Sequence, residues 1–145
     1  MILTFESEIN RPQAEVAALM ADPRHNKEWM EDLVHYEPIS GEPGAPGSTA
    51  RLTFKNGSRK MMFTSTVVAR DLPDAMHSTL ESPMVTIYTT ATFSALSPTV
   101  TRYVFEQDFR FHGALNAVLG TLAKGAMAAQ QRRHMERFKH FAESS

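Results

Sequence analysis

The chain has 145 residues, with 15 basic against 16 acidic side chains for a formal net charge of -1, 42% hydrophobic residues and no cysteine. These figures fit one soluble globular domain over residues 1–145, able to bury about 70% of its unfolded surface. They exclude disulfide frameworks, thiolate metal sites and cysteine nucleophiles, and the balanced charge excludes a dedicated nucleic-acid binder.

Leu3, Phe5, Ser7 and Ile9 alternate with Thr4, Glu6 and Glu8, which predicts a first strand with one dry face. Asn10 stands where an N-cap belongs, with Gln13 at capping-box spacing, and a short helix follows to about Met20. Asp22-Pro23 then starts a second short helix over Pro23–Glu28, ending close to Trp29. From residue 33 the β-branched and aromatic content rises, predicting strands at Leu33–Ile39, Ala50–Lys55, Arg59–Arg70, Met76–Glu81, Met84–Phe93 and Thr101–Phe111. Asn56-Gly57 is the strongest hairpin signal, so the Asn56-Gly57-Ser58 sequon reads as a turn. Short links between the strands imply antiparallel neighbours. After His112-Gly113 the composition switches to Ala, Leu, Lys, Gln and Arg, predicting one long C-terminal helix. Its apolar stripe moves from Leu115, Val118, Leu119, Leu122 and Ala126 to Met127, Met135, Phe138 and Phe141, so a bend is expected near Gly120 and Gly125.

The fold class is therefore α+β, a curved antiparallel sheet of six or seven strands covered by the C-terminal helix. Small residues in that helix, such as Gly120, Ala123 and Ala126, leave room against the sheet. Alternation puts Ser65, Thr89 and Gln107 among apolar residues on the covered face, and a mostly apolar wall with a few polar anchors is what a small-molecule pocket requires. The alternative is a solid core with those groups satisfied internally. Trp29, Phe54, Phe63, Ser65, Ile87, Thr89, Tyr103, Phe105, Gln107 and Leu119 are the expected ligand-binding residues.

The order of features resembles the START-like (SRPBCC) superfamily, in particular its polyketide cyclase/dehydrase and lipid-transport branch. The likeness spans the chain and rests on Ile9-Asn10-Arg11-Pro12 with Val16, Asp22-Pro23 leading to Trp29, Pro46-Gly47-Ser48 before Arg51, and Thr101-Arg102 opening the last strand before Gly113. It implies a helix-grip fold, with two small helices between the first two strands and often a hydrophobic cavity. The superfamily has no shared catalytic motif, so fold does not dictate reaction.

No HExxH, G-x-S-x-G or P-loop pattern occurs, so neither a metal site nor a cofactor is expected. His134 and His140 are expected to face solvent near the helix C-terminus, where positive charge suits the dipole. His25 and Glu28 in the loop before Trp29 are the candidate proton-transfer groups, with helix capping and core anchoring as the alternative for that segment. Tyr88, Tyr103 and Gln107 are candidate donors, although Tyr88 faces outward on one reading, and either His35 or Tyr36 points inward. The basic run Arg132–His140 suits an anionic surface or a partner, but solvated cations against the dipole are the ordinary reading. Met1-Ile2-Leu3 meets Glu6 too soon for a signal peptide and no ~20-residue apolar run exists, so a cytoplasmic location without stable membrane insertion is expected. The expected function is binding of a small hydrophobic or aromatic ligand, lipid- or polyketide-like. A cyclase/dehydratase-type enzyme and a protein-interaction module are the alternatives, and homo-oligomers are left open.

Overall fold

The computed structural model describes residues 1–145. Seven strands, β1 (Ile2–Ile9), β2 (Leu33–Ser40), β3 (Thr49–Asn56), β4 (Arg59–Asp71), β5 (Ala75–Glu81), β6 (Val85–Ser97) and β7 (Val100–Phe111), form one antiparallel sheet in the order β1-β7-β6-β5-β4-β3-β2. The sequence-adjacent pairs from β2 to β7 are hairpins, and β1 closes onto β7 with Phe5 opposite Phe105. Register shifts in β2, between Val67 and Ala69 in β4 and between Ala95 and Ser97 in β6 mark bulges, which bend strands and increase twist.

The chain crosses from edge strand β1 to edge strand β2 through α1 (Gln13–Ala21), a 3₁₀ turn (Pro23–His25) and α2 (Asn26–Trp29). Asp22 caps the turn, its Oδ1 accepting from Arg24 N–H at 3.0 Å. Asn10 does not cap α1. The cap position is Pro12, and Asn10 N–H instead donates to Glu143 Oε2 at 2.8 Å. Gln13 makes no capping box either. Its amide donates to the Phe93 carbonyl at 2.8 Å and reaches the Pro73-Asp74 turn, fastening α1 to β6. Pro12 has no side chain able to cap, and its carbonyl instead accepts from the N–H groups of Glu15 and Val16 at 3.1 Å.

The β3–β4 turn is centred one residue later than expected, on Gly57-Ser58 between the paired Asn56 and Arg59. Only Gly57 has positive φ, at 64°, the pattern of a type II′ turn, where the first central position calls for Gly.

The C-terminal segment is two helices, α3 (Ala114–Leu122) and α4 (Lys124–Glu143), broken at Ala123. Its expected first stripe is turned outward: Leu115, Val118, Leu119 and Leu122 are exposed, while Gly120 is the buried residue of α3. A Cβ on Gly120 would lie 2.1 Å from Phe111 Cζ, so only the small face of α3 can rest on β7. The main core joins Ile9, Val16, Phe93, Tyr103, Met135 and Phe138, drawn from β1, α1, β6, β7 and α4. Each such fully buried side chain contributes about 1.5–3 kcal/mol. Arg11 locks α4 in place by donating to the carbonyls of Ala142 and Ser145 at its C-terminal end, where cations are favoured. No helix is long and apolar enough to cross a membrane.

Candidate functional site

Helix α4 packs on β1 and α2, and α1 packs on β6 and β7. That leaves the middle of the sheet uncovered from within: β4 and β5 contain no fully buried residue. The space enclosed between the sheet, α2, α3 and α4 is a cavity of about 530 Å³. Its wall is mainly apolar, 23 of 38 lining residues being hydrophobic, which suits a ligand that gains by leaving water.

The polar groups on that wall fall in two places. On the sheet side, Gln107, Thr89 and Ser78 are successive cross-strand partners on β7, β6 and β5, and all three line the cavity. Adjacent strands lie about 4.8 Å apart, so these side chains form a polar row across an apolar surface. Gln107 is 3% exposed, and neither its Oε1 nor Thr89 Oγ1 has a hydrogen-bond partner.

On the helix side stand Trp29 from α2 and His134 from α4, their rings edge to face with centroids 6.2 Å apart. Trp29 Nε1 and His134 Nε2 are likewise buried without partners. His134 is thus the chief correction to the sequence reading: it is 5% exposed and on the cavity wall, not in solvent. Burial pushes its pKa below the usual imidazole value. The carboxylates of Asp32 and Glu31 pull it up, and Arg133 and Arg137 add to the lowering.

Of the ten expected ligand-binding residues, nine line the cavity: Trp29, Phe54, Phe63, Ser65, Ile87, Thr89, Phe105, Gln107 and Leu119. Leu119 does so from the rim and is 53% exposed. Tyr103 does not line it. Its ring is stacked on Phe93 at 5.4 Å and meets Phe138 at 5.4 Å, in the part of the sheet that α1 and α4 cover, and burial raises its pKa. Alternation assigns Tyr103 to the correct face but is silent on how far along the strand the helices reach.

Tyr36, not His35, turns to the cavity, and Tyr88 faces outward beneath the Arg110 guanidinium. From the Asp22–Trp29 segment, Pro23, Asn26 and Trp29 reach the wall, whereas His25 packs on Phe141 and Glu28 stays outside. Those two are therefore not placed to act on anything inside. The basic run of α4 is engaged by the protein itself: Arg133 and Arg137 meet Glu31, Lys139 meets Glu143, and Arg132 lies over Phe5. No three His, Asp or Glu side chains gather as metal ligands do.

Comparison with known structures finds the same architecture elsewhere. The chain is similar to TTHA0849 from Thermus thermophilus (TM-score 0.82, 14% identity, covering 99% of this chain and 98% of that one). It is also similar to the Zhui aromatase/cyclase from a Streptomyces species (0.80, 13% identity, 99% and 93%). Ara h 8.0201 matches over the full length of both chains (0.70, 14% identity). At such identities the likeness is one of fold. No curated protein matches the sequence. The family model described as polyketide cyclase / dehydrase and lipid transport matches residues 2–143. A helix-grip sheet, the two small helices after β1 and a match of that extent together make the chain a member of this family, within the START-like (SRPBCC) superfamily.

Proposed function

We propose that the protein binds a small, mostly apolar molecule bearing hydroxyl or carbonyl groups, lipid- or polyketide-like, in the cavity between the sheet and the C-terminal helices. The observation that carries this reading is the set of four partnerless polar atoms, Trp29 Nε1, Thr89 Oγ1, Gln107 Oε1 and His134 Nε2, on a mainly apolar wall. Buried polar groups are nearly always hydrogen-bonded, and each left unmade costs about 1–3 kcal/mol. A ligand offering one acceptor to Trp29 and one donor to Gln107 removes two of those costs on binding, and a second polar group reaching Thr89 or His134 removes a third. Phe54, Phe63, Ile87 and Phe105 supply the apolar contact, with Ser65 between Ala50 and Leu80 on the sheet wall and Leu119 at the rim.

Native mass spectrometry of gently purified protein, followed by extraction, tests this directly. The expected result is a discrete apolar or aromatic molecule at one per chain, with Gln107→Leu weakening its retention about tenfold or more while keeping the melting temperature. Clean apo protein that no apolar or aromatic compound stabilises against heat overturns the reading, because a ligand bound by the folded state alone must raise its stability.

His134 favours a second reading, a cyclase/dehydratase-type enzyme working in the same cavity. Imidazole held neutral by burial is a base able to take a proton from an activated carbon, and the Trp29 N–H and Thr89 hydroxyl are donors for the oxyanion that develops. Here His134→Gln abolishes turnover of the bound molecule while weakening its retention no more than Gln107→Leu does; a carrier shows no turnover to lose.

A further inference from the structure

The cavity wall carries almost no charge. No carboxylate and no lysine lines it, and its single fixed charge, Arg59, is exposed at the end of the β3–β4 hairpin. Tyr36 from β2 is titratable, but burial raises its pKa, which keeps the phenol neutral. That leaves His134 as the one side chain on the wall whose charge can change near neutrality.

The charged groups that act on His134 stand outside the cavity and are already engaged. Arg133 and Arg137, its neighbours on α4, hold Glu31, and Asp32, in the turn after α2, accepts from Gln130 at 2.5 Å. The two carboxylates favour the imidazolium and the two arginines oppose it, but none of the four lines the cavity. His134 Nε2, by contrast, is buried without a partner on the wall it shares with Trp29 and Gln107. An imidazolium formed there finds partners for Nε2 only in what the cavity holds, water or ligand. A buried charge is tolerated only when it is paired or hydrated. A neutral ligand filling the cavity displaces the water that would hydrate the cation, so binding and protonation compete. An anion does the reverse. Beside neutral His134 its charge is buried among apolar side chains with no partner, whereas beside the imidazolium it gains a desolvated, charge-assisted hydrogen bond.

We infer that His134 sets the charge a ligand of this cavity can carry: uncharged hydroxyl- or carbonyl-bearing molecules while the imidazole is neutral, and anions once it is protonated. The inference rests on the reading of the cavity as a binding site and narrows its ligand class. At neutral pH an alcohol or ketone is accepted, while a carboxylate or phosphate of the same apolar shape is kept out of the interior. Acidification exchanges one class for the other.

The test is fluorescence titration of the full chain with 1-hydroxypyrene and with 1-pyrenesulfonate, which share one apolar body. The first stays neutral and the second anionic from about one pH unit above the ordinary imidazole pKa of about 6.5 to about 1.5 units below it. At the upper end hydroxypyrene should bind at least about tenfold more tightly than the sulfonate. As pH falls its affinity should drop while that of the sulfonate rises, each by at most about tenfold per pH unit, the limit for one proton. His134→Gln, its fold verified by a melting curve, should flatten both profiles, and Arg59→Gln should leave both slopes in place. Three results overturn the inference and spare the binding site: equal affinity for the two probes at the upper end, slopes that His134→Gln does not change, or pH-independent sulfonate binding that Arg59→Gln abolishes, which seats the anion at the hairpin. Failure of both probes to bind at any pH overturns the binding-site reading as well.

Discussion

His134 condenses the physics of the site into one side chain. It lies midway along α4, short of the last turn where the helix dipole favours a cation, and in the wall beside Trp29 desolvation disfavours the charged form more than Asp32 and Glu31 favour it. A group whose folded-state pKa lies below its unfolded value binds fewer protons when folded, so stability rises with pH across the interval between the two. The contribution is complete above the unfolded value of about 6.5 and is lost progressively as pH falls below it. Melting temperature should therefore drop as pH is lowered from neutrality through 6.5, and His134→Gln should remove that part of the dependence. Subtracting the variant's profile isolates this residue from the other five histidines. If wild type and variant trace parallel curves, His134 is not titrating against burial, and its role as a neutral base falls with it.

At the scale of elements, the small side of α3 decides where the C-terminal segment breaks and which way it faces. Gly120→Ala pushes the Phe111 ring out of its stack on Phe109, an overpacking expected to cost about 1–3 kcal/mol. Gly125→Ala meets nothing within 4 Å inside α4 and should stabilise by up to about 1 kcal/mol through helix propensity alone. Chemical denaturation of the two single variants measures both; similar effects from the two would mean that α3 does not rest on Phe111. The same pair shows what sequence could and could not disclose. Strand positions, the hairpins, the Asp22 cap and the rotation of the helical stripe were legible because each leaves a local signature of alternation, turn chemistry or period. The outward turn of Leu115, Val118, Leu119 and Leu122 was not, because a periodic stripe defines a face without saying what lies opposite it. His134 did leave a trace: it sits four residues before Phe138 and seven after Met127, on the very stripe that packs inward. The dipole argument reaches only the last turn, which holds His140 and not His134, so the spacing is the better guide here. Alternation assigns the cavity wall to one face of the sheet but not the depth of each residue under the helices, which is a tertiary quantity, so it does not separate Tyr103 from the residues that line the cavity.

Across the whole molecule, cohesion is distributed unevenly. The largest cluster ties β1, β6 and β7 to α1, α2 and α4, whereas β2 and β3 contribute only Leu33, Ala50 and Leu52 to a small one. Between these halves β4 and β5 span the cavity with no fully buried side chain of their own. Their backbone ladders are continuous apart from the bulge at Val68, but hydrogen bonds add only about 0.5–1.5 kcal/mol each net, and the apolar contacts that reinforce them on the concave side are few, with Phe63 and Leu80 only partly buried against the smaller clusters. Local opening follows contact density, so this stretch should open well below the global unfolding free energy while β1 and β7 should not. Amide hydrogen exchange on the apo protein is then expected to show Thr64–Val67 and Met76–Leu80 exchanging at least about tenfold faster than Phe5–Ile9 and Tyr103–Phe109, a gap of about 1.4 kcal/mol or more. A ligand filling the cavity supplies the absent contacts and should slow β4 and β5 selectively, leaving the already protected half unchanged. Uniform protection across the sheet in the apo state would mean that the cavity is collapsed in solution, and ligand-induced slowing spread evenly over all seven strands would place the bound molecule somewhere other than against β4 and β5.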